Sequence, residues 1–516
     1  MKSHECNNLY FCLKSIVNSA AAAAILAVGA TSAFADSPAY AAKVPEQLLT
    51  PDVVKTERLG KLEFFDGLPS EKTVEKVYDN LDFMRGVDAF LNGIPATSIQ
   101  AFCEGLKEAG VPPFVAGITE ELLDARTLLL TANTTTMYVL TCIDTKSGPV
   151  VMDVPPVTIG PIDDAYFRWV TDVGFTGPDE GKGGRYLFVP PGFEGELPDD
   201  GFYIVRSKTY KNWMLMRAFV LEDGLEGTVK RIKDNLRIFP LSQVGNPPEQ
   251  KFVQLTGKQM NTIHGNDYSF YEELNATVQY EPEGAFPPEI TGIFNSIGIK
   301  HGQPFEPDER MRKILIDAGK VGNATARAVS FSSRDPGIYL FEGSQWTTPY
   351  ARLSHEFLEG GARIMTDRTF FHYMATGVTP AMARLQVGSG SVYGFTAKDS
   401  DGNYLDGSNT YRIDLAAPVP AGDFWSFTVY DNQHRSMLET DQKLAGIDST
   451  VADIEPNEDG SWTIWFGPEA PEGKEGNWVQ TMPGKSWSSI IRLYGPGQEW
   501  FDKTWVPGDF VLVKKN

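Results

Sequence analysis

Residues 424–431 read FWSFTVYD. Aromatic and β-branched side chains crowd this short run before Asp431 and Asn432, which is the composition of a strand. The same signature recurs on either side, in SVYGFTA (391–397), TYRIDL (410–415), SWTIWFG (461–467) and WSSIIRLYG (487–495). The joints DSDGN (399–403) and NEDG (457–460) carry hairpin-turn chemistry. A β-sandwich is therefore expected over 386–516. Further upstream, ARTLLLTAN (125–133), TTMYVLTCID (135–144), PVVMDVP (149–155), AYFRWVTDV (165–173) and GRYLFVP (184–190) repeat the pattern. They predict a first antiparallel sandwich within 115–280.

Helices fill the rest. Val74, Val77, Tyr78, Leu81, Met84 and Val87 recur at three- and four-residue spacing, predicting an amphipathic helix. A second helix is expected from Ser98, as its cap, to Gly110, with Pro112 and Pro113 ending it. Residues 207–240 read as a strand, WMLMRAFVL, and a helix ending near Ile238-Phe239-Pro240, and residues 280–385 as helix and connector. The predicted fold class is mainly β with helical additions, in two antiparallel β-sandwich domains. The boundaries are a signal peptide at 1–35, a lead-in at 36–70, the first domain with its helices at 71–285, a helical connector at 286–385 and the second domain at 386–516.

Lys2 and Lys14, the apolar run SIVNSAAAAAILAVGATS and the ending Ala33-Phe34-Ala35 are the signature of an export signal cleaved before Asp36. A periplasmic or secreted location is expected. No later stretch offers about 20 uninterrupted apolar residues, so no membrane span is expected. Cleavage removes Cys6 and Cys12 and leaves Cys103 and Cys142, either one disulfide or two separate buried thiols. The formal charge of -21 disfavours nucleic acid as a partner. With 42% hydrophobic residues the chain has ample material for more than one core.

The stretch TGPDEGKGGRYLFVPPG (176–192) has the glycines and lysine of a phosphate loop. Its spacing is wrong, Gly183 follows Lys182 where Ser or Thr is needed, and a strand follows instead of a helix. It reads as a β connection. No GxSxG elbow and no HExxH motif occurs. In His355-Glu356-Phe357-Leu358-Glu359, His355 and Glu359 would share a helix face, without a third ligand. KDSDGNYLDG has alternating oxygen ligands, but Tyr404 stands where a calcium loop needs glycine. No metal site is assigned, and the cofactor is unknown.

The most chemically loaded strand exit is FWSFTVYDNQHRSM (424–437). His434 as base, Asp431 as its orienting carboxylate and Arg435 as an anion holder form a catalytic candidate, beside a purely structural corner. Tyr430, Asn432, Trp425 and Trp478 are candidate ligand contacts. Arg168 and Asp172, with Arg185, flank a turn of the first sheet as a second candidate or a buried ion pair.

The segments NTTTMYVLTCIDTKSGPVVMDVPP, VGFTGPDEGKGGRYLFVPPG, FFHYMATGVTPAM, LDGSNTYRIDL, DFWSFTVYDNQHRSMLETDQ and NWVQTMPGKSWSSIIRLYGP, in this order, resemble one family. It is the bacterial group of exported proteins with tandem domains of unknown function numbered twelve fifty-four (N-terminal) and twelve fourteen (C-terminal). The resemblance implies two jelly-roll-like sandwiches and brings no reaction or catalytic set. The motif commonly has Asn-Thr-Asp-Thr, whereas this chain has Asn133, Thr134, Thr135 and Thr136.

The functional expectation is an exported protein that binds a small or oligomeric polar ligand, carbohydrate or envelope-derived, in a cleft of its sandwiches. Trp425, Trp462, Trp465, Trp478 and Trp487 are candidate sugar platforms. The alternatives are a hydrolase using the His434–Asp431 pair and an envelope structural or assembly protein, with homo-oligomer contacts through its β surfaces.

Overall fold

The computed structural model describes residues 44–514. The expected signal peptide, with Cys6 and Cys12, lies outside the described residues. The chain divides between Glu75 and Lys76 into two units. In the first, strands Val53–Thr56, Gly60–Phe65 and Leu68–Pro69 form an antiparallel sheet. The Thr73 hydroxyl ties its middle strand down, accepting from the Glu63 N–H at 2.8 Å and donating to the Glu63 carbonyl at 3.1 Å.

From Lys76 onward, four sheets form two pairs. A six-stranded sheet has the order Lys251–Gln254, Val115–Ile118, Met137–Asp144, Lys211–Ala218, Thr158–Asp164 and Trp169–Gly174. A four-stranded sheet of Tyr203–Arg206, Gly184–Val189, Val150–Val154 and Arg237–Pro240 faces it. Met137, Val139, Met214 and Met216 of the first meet Val150, Met152, Tyr186 and Phe188 of the second in one apolar core. The second pair sets Ser391–Thr396, Trp487–Pro496, Ala421–Asp431 and Gly446–Asp448 against Trp478–Gln480, Trp462–Gly467, Thr410–Leu415 and Val511–Lys514. Val392, Phe427, Val429 and Ile491 pack there against Ile413, Ile464 and Phe466. The architecture is mainly β with helical additions, as the turn-punctuated runs predict. Antiparallel pairing holds in the interior, but Tyr203–Arg206, Lys251–Gln254 and Trp478–Gln480 add to their neighbours in parallel. Each returns through a connection longer than a hairpin turn, which parallel pairing requires.

Successive strand residues face opposite sides, and here both sides are covered. Tyr138, Leu140 and Trp213 of the first sandwich, and Phe395, Tyr430 and Ile490 of the second, belong to a third core shared with the helices. That core holds Phe90, Ile94, Ile99, Phe102 and Leu106 of the long helix Glu71–Glu108, together with side chains of Ser269–Tyr280, Glu309–Phe331 and Met365–Met374.

The long helix differs from expectation: one helix runs where two were predicted, straight through Pro95. Ser98 lies inside it and donates to the His372 carbonyl at 3.3 Å instead of capping a helix start. Proline in a helix interior costs about 3 kcal/mol, and burying one large apolar side chain returns about 1.5–3 kcal/mol. The five side chains just named outweigh the penalty together. Downstream, the helix Gly224–Asn235 stops before Ile238, and Arg237–Pro240 is a strand paired with Val150–Asp153. Cys103 and Cys142 form a disulfide between the long helix and strand Met137–Asp144, with Cα atoms 5.6 Å apart. Among the described residues, no helix is long and apolar enough to cross a membrane.

Candidate functional site: a cavity walled by both sandwiches

The strand faces turned away from the two inter-sheet cores enclose a cavity of about 420 Å³. Tyr138, Leu215 and Arg217 line it from the first sandwich, and Ser391, Tyr393, Ile490 and Arg492 from the second. Phe370, Phe371 and Met374 of helix Met365–Met374, with Tyr350 and Met382, supply an apolar wall. Strand register explains the polar end. Arg217 lies opposite Tyr138, and Tyr393 opposite Arg492.

Two arginines, Arg492 buried and Arg217 half-buried, thus line one cavity, and their electrostatic neighbours are phenols. Arg217 has Tyr393, Tyr138 and Tyr494 as its electrostatic neighbours. Arg492 faces Tyr430, Tyr494 and Tyr393. It donates to the Thr428 hydroxyl at 2.8 Å, the Thr131 carbonyl at 2.9 Å and the Tyr430 hydroxyl at 2.7 Å. Burial works against both charges, yet these neighbours hold both arginines above their ordinary pKa. Burial also pushes the Tyr393 phenol up, but Arg217, a hydrogen bond with Ser391 and Arg492 outweigh it and leave Tyr393 below the usual tyrosine value.

The loop 131–136 closes the polar end. Thr131 has φ 48°, a region β-branched residues rarely adopt, and this aims its carbonyl at Arg492. Asn133 organises the rest: its Oδ1 accepts from the Thr135 N–H at 3.1 Å, the Thr136 N–H at 3.0 Å and the Thr136 hydroxyl at 2.9 Å. Thr135 lies 3.3 Å from the Tyr494 hydroxyl.

The residues expected at the strand exit sit elsewhere. His434 and Asp431 do meet, Nε2 to Oδ2 at 3.3 Å, but the other ring nitrogen, Nδ1, lies 2.7 Å from the Ser436 hydroxyl. Both ring nitrogens are therefore engaged. Asp431 also receives Lys485 at 2.8 Å and the Gln433 N–H at 2.6 Å. Burial raises its carboxyl, and these partners outweigh that, holding it well below the carboxylate range. Arg435 points into the third core, its carbon Cζ 3.6 Å from the Tyr373 ring centroid, and donates to the Tyr373 carbonyl at 2.9 Å. Asn432 accepts Arg327 on its carbonyl at 2.5 Å. Tyr430 backs the cavity by holding Arg492 and donating to the Ala132 carbonyl at 2.6 Å.

Arg168 pairs with Asp164 at 2.6 Å, Arg185 with Asp153 at 2.6 Å, and Asp172 accepts from Trp169 and Thr379, so the three are not one cluster. Trp425 is buried against Trp462, and Trp478 donates its ring N–H to the Gly467 carbonyl. His355 packs edge-on to Trp169. Glu359 belongs to the short hairpin Leu358–Arg363, so the expected shared helix face does not exist. In the loop at 176–192, Asp179 accepts from the Gly174 and Gly183 N–H groups and from the Tyr186 hydroxyl. Lys182 pairs with Glu180 on the surface, and Gly181 and Gly183 supply the left-handed turns.

No curated protein matches the chain. A structural relative is the VPA0106 protein from Vibrio parahaemolyticus, 19% identical with a TM-score of 0.52, covering 84% of this chain and 100% of its own. An uncharacterized protein from Burkholderia cenocepacia is 13% identical with a TM-score of 0.37, covering 85% of this chain and 96% of its own. The first likeness shows a shared fold. Residues 116–240 match a protein family of unknown function, DUF1254, and residues 390–498 match another, DUF1214. In chain order the protein therefore carries a DUF1254 region followed by a DUF1214 region, the tandem arrangement that its motifs resemble.

Proposed function

We propose that the cavity binds a small organic anion, such as a carboxylate with an apolar body. The observation that carries this reading is the pair of the half-buried Arg217 and the buried Arg492, both lining a largely apolar cavity with phenols as their electrostatic neighbours. Buried cations are ordinarily paired, and a ligand carboxylate would supply the missing charge through strong, charge-assisted hydrogen bonds. The volume falls in the range of small-molecule sites. This narrows the polar ligand expected from the sequence and favours an anion over an oligosaccharide, because Trp425 is buried in the second sandwich and Trp478 uses its ring N–H internally. The Cys103–Cys142 disulfide supports export to an oxidising compartment, periplasmic or secreted.

Titration calorimetry with 4-phenylbutyrate and its neutral amide tests the reading. Saturable binding of the acid, at least tenfold tighter than the amide and weakened roughly tenfold to a hundredfold by Arg217→Ala, is expected. Equal binding of acid and amide, or none of either, would overturn it.

A further inference from the structure

Ser391 and Tyr393 stand on the same face of strand Ser391–Thr396, two residues apart, and both line the cavity. Their oxygens are 2.7 Å apart. Arg217 acts electrostatically on the same phenol, and the guanidinium carbon of Arg492 is 5.7 Å from the Tyr393 ring centroid. A hydroxyl, a phenol in direct hydrogen-bond contact and two cations beside an apolar cavity form the parts of an activated nucleophile. The histidine expected to serve as base has both ring nitrogens occupied at a separate corner.

We propose that Ser391 is a nucleophile activated by Tyr393, and that the cavity hydrolyses esters of small organic acids. The inference rests on the anion reading, since the acid released is the anion that the cavity holds. Tyr393, as phenolate, takes the proton of the Ser391 hydroxyl while Oγ bonds to the ester carbonyl carbon. The carbonyl π pair moves onto oxygen, and the resulting oxyanion lies beside the guanidinium groups. Collapse breaks the bond to the alkoxide, which leaves with the proton from Tyr393. Water then attacks the acyl carbon and gives one proton to Tyr393. The acyl–Oγ bond breaks, Ser391 recovers that proton, and the acid leaves as a carboxylate with its proton released to solvent. Ester and water become acid and alcohol with no further reactant. Against burial, Arg217, Ser391 and Arg492 hold the Tyr393 phenol below the usual tyrosine value, the direction that a general base requires.

The test is 4-nitrophenyl 4-phenylbutyrate hydrolysis by the full chain, with a fluorophosphonate probe read by intact mass and peptide mapping. The expected result is a covalent adduct on Ser391, with turnover lost in Ser391→Ala and reduced at least a hundredfold in Tyr393→Phe. Turnover in the parent should rise with pH in a single ionisation that the phenylalanine variant lacks. An unchanged melting temperature of Ser391→Ala verifies that the variant is folded. Binding of the acid by the parent without adduct or turnover overturns this inference and leaves the anion reading standing, whereas loss of both overturns the two together. Labelling that survives Ser391→Ala, or turnover unchanged by Tyr393→Phe, would also overturn it.

Discussion

Arg217 and Arg492 are far apart in the chain, and each is a single charge inside an apolar strand, in WMLMRAFVL and WSSIIRLYG. A lone arginine at such a position is the signal that could have located the site, because only a special environment offsets the cost of burying a charge. The candidates read from the sequence lay instead at the 424–437 strand exit, at Trp478 and at Arg168, Asp172 and Arg185. The convergence of Arg217 and Arg492 was not legible. It depends on which face of each strand turns outward from its own sandwich, and single-strand patterns do not reveal that when both faces are covered. His434 shows the converse: residue type and spacing placed it correctly beside Asp431, but the Ser436 hydroxyl that engages its second nitrogen follows from the shape of the turn. Thr135 gives a residue-scale prediction. Its neighbour Tyr494 senses both arginines, so Thr135→Asp places a carboxylate close to the two cations. Binding of 4-phenylbutyrate should fall at least tenfold at neutral pH, and Thr135→Asn, of similar size without charge, should bind nearly as the parent does. Equal losses in both variants would assign the effect to shape instead of charge.

At the scale of elements, strands were read well because turn chemistry brackets them, as DSDGN and NEDG show. The long helix was read as two because Ser98 looks like an N-cap in sequence; the apolar stripe that keeps the helix continuous past Pro95 belongs to a tertiary core. Close approach is part of that packing: a Cβ on Gly105 would lie 2.0 Å from the Asn261 carbonyl oxygen, so only glycine lets the chain pass there. The disulfide fixes the same helix to the strand that carries Tyr138. Its half-cystines are 39 residues apart, for which loop-closure entropy corresponds to about 3–4 kcal/mol of stabilisation. The Cys103→Ala/Cys142→Ala double variant should therefore unfold at a clearly lower urea midpoint, with a slope equal to or steeper than the parent's. An unchanged midpoint would show that the helix is held by packing alone.

For the molecule as a whole, pH dependence follows from carboxyl groups that the fold buries. Glu281 is pushed up to about 7 chiefly by burial, partly offset by the Tyr210 and Lys211 N–H groups it accepts. Its folded form keeps a proton that the unfolded form releases near the ordinary glutamate value of 4.5. The associated stability is complete below that value and is lost as pH rises through about 7, a contribution of about 3 kcal/mol. Melting temperature should fall between pH 5 and pH 8, and Glu281→Gln should flatten part of that fall. Parallel curves for parent and variant would remove Glu281 as a cause.

The alternation of strand faces has one more consequence. Leu215 and Arg217 border the cavity, while Met214 and Met216, their immediate neighbours, fill the inter-sheet core. The residues that choose a ligand and those that hold the first sandwich together are interleaved in sequence yet separated by the thickness of a sheet. Selection on ligand choice can therefore act at every second position of a strand while the intervening positions stay fixed. An engineer can vary Leu215 and Arg217 while leaving Met214 and Met216 untouched, whereas Trp213 on the same face is fully buried among the helices and must stay.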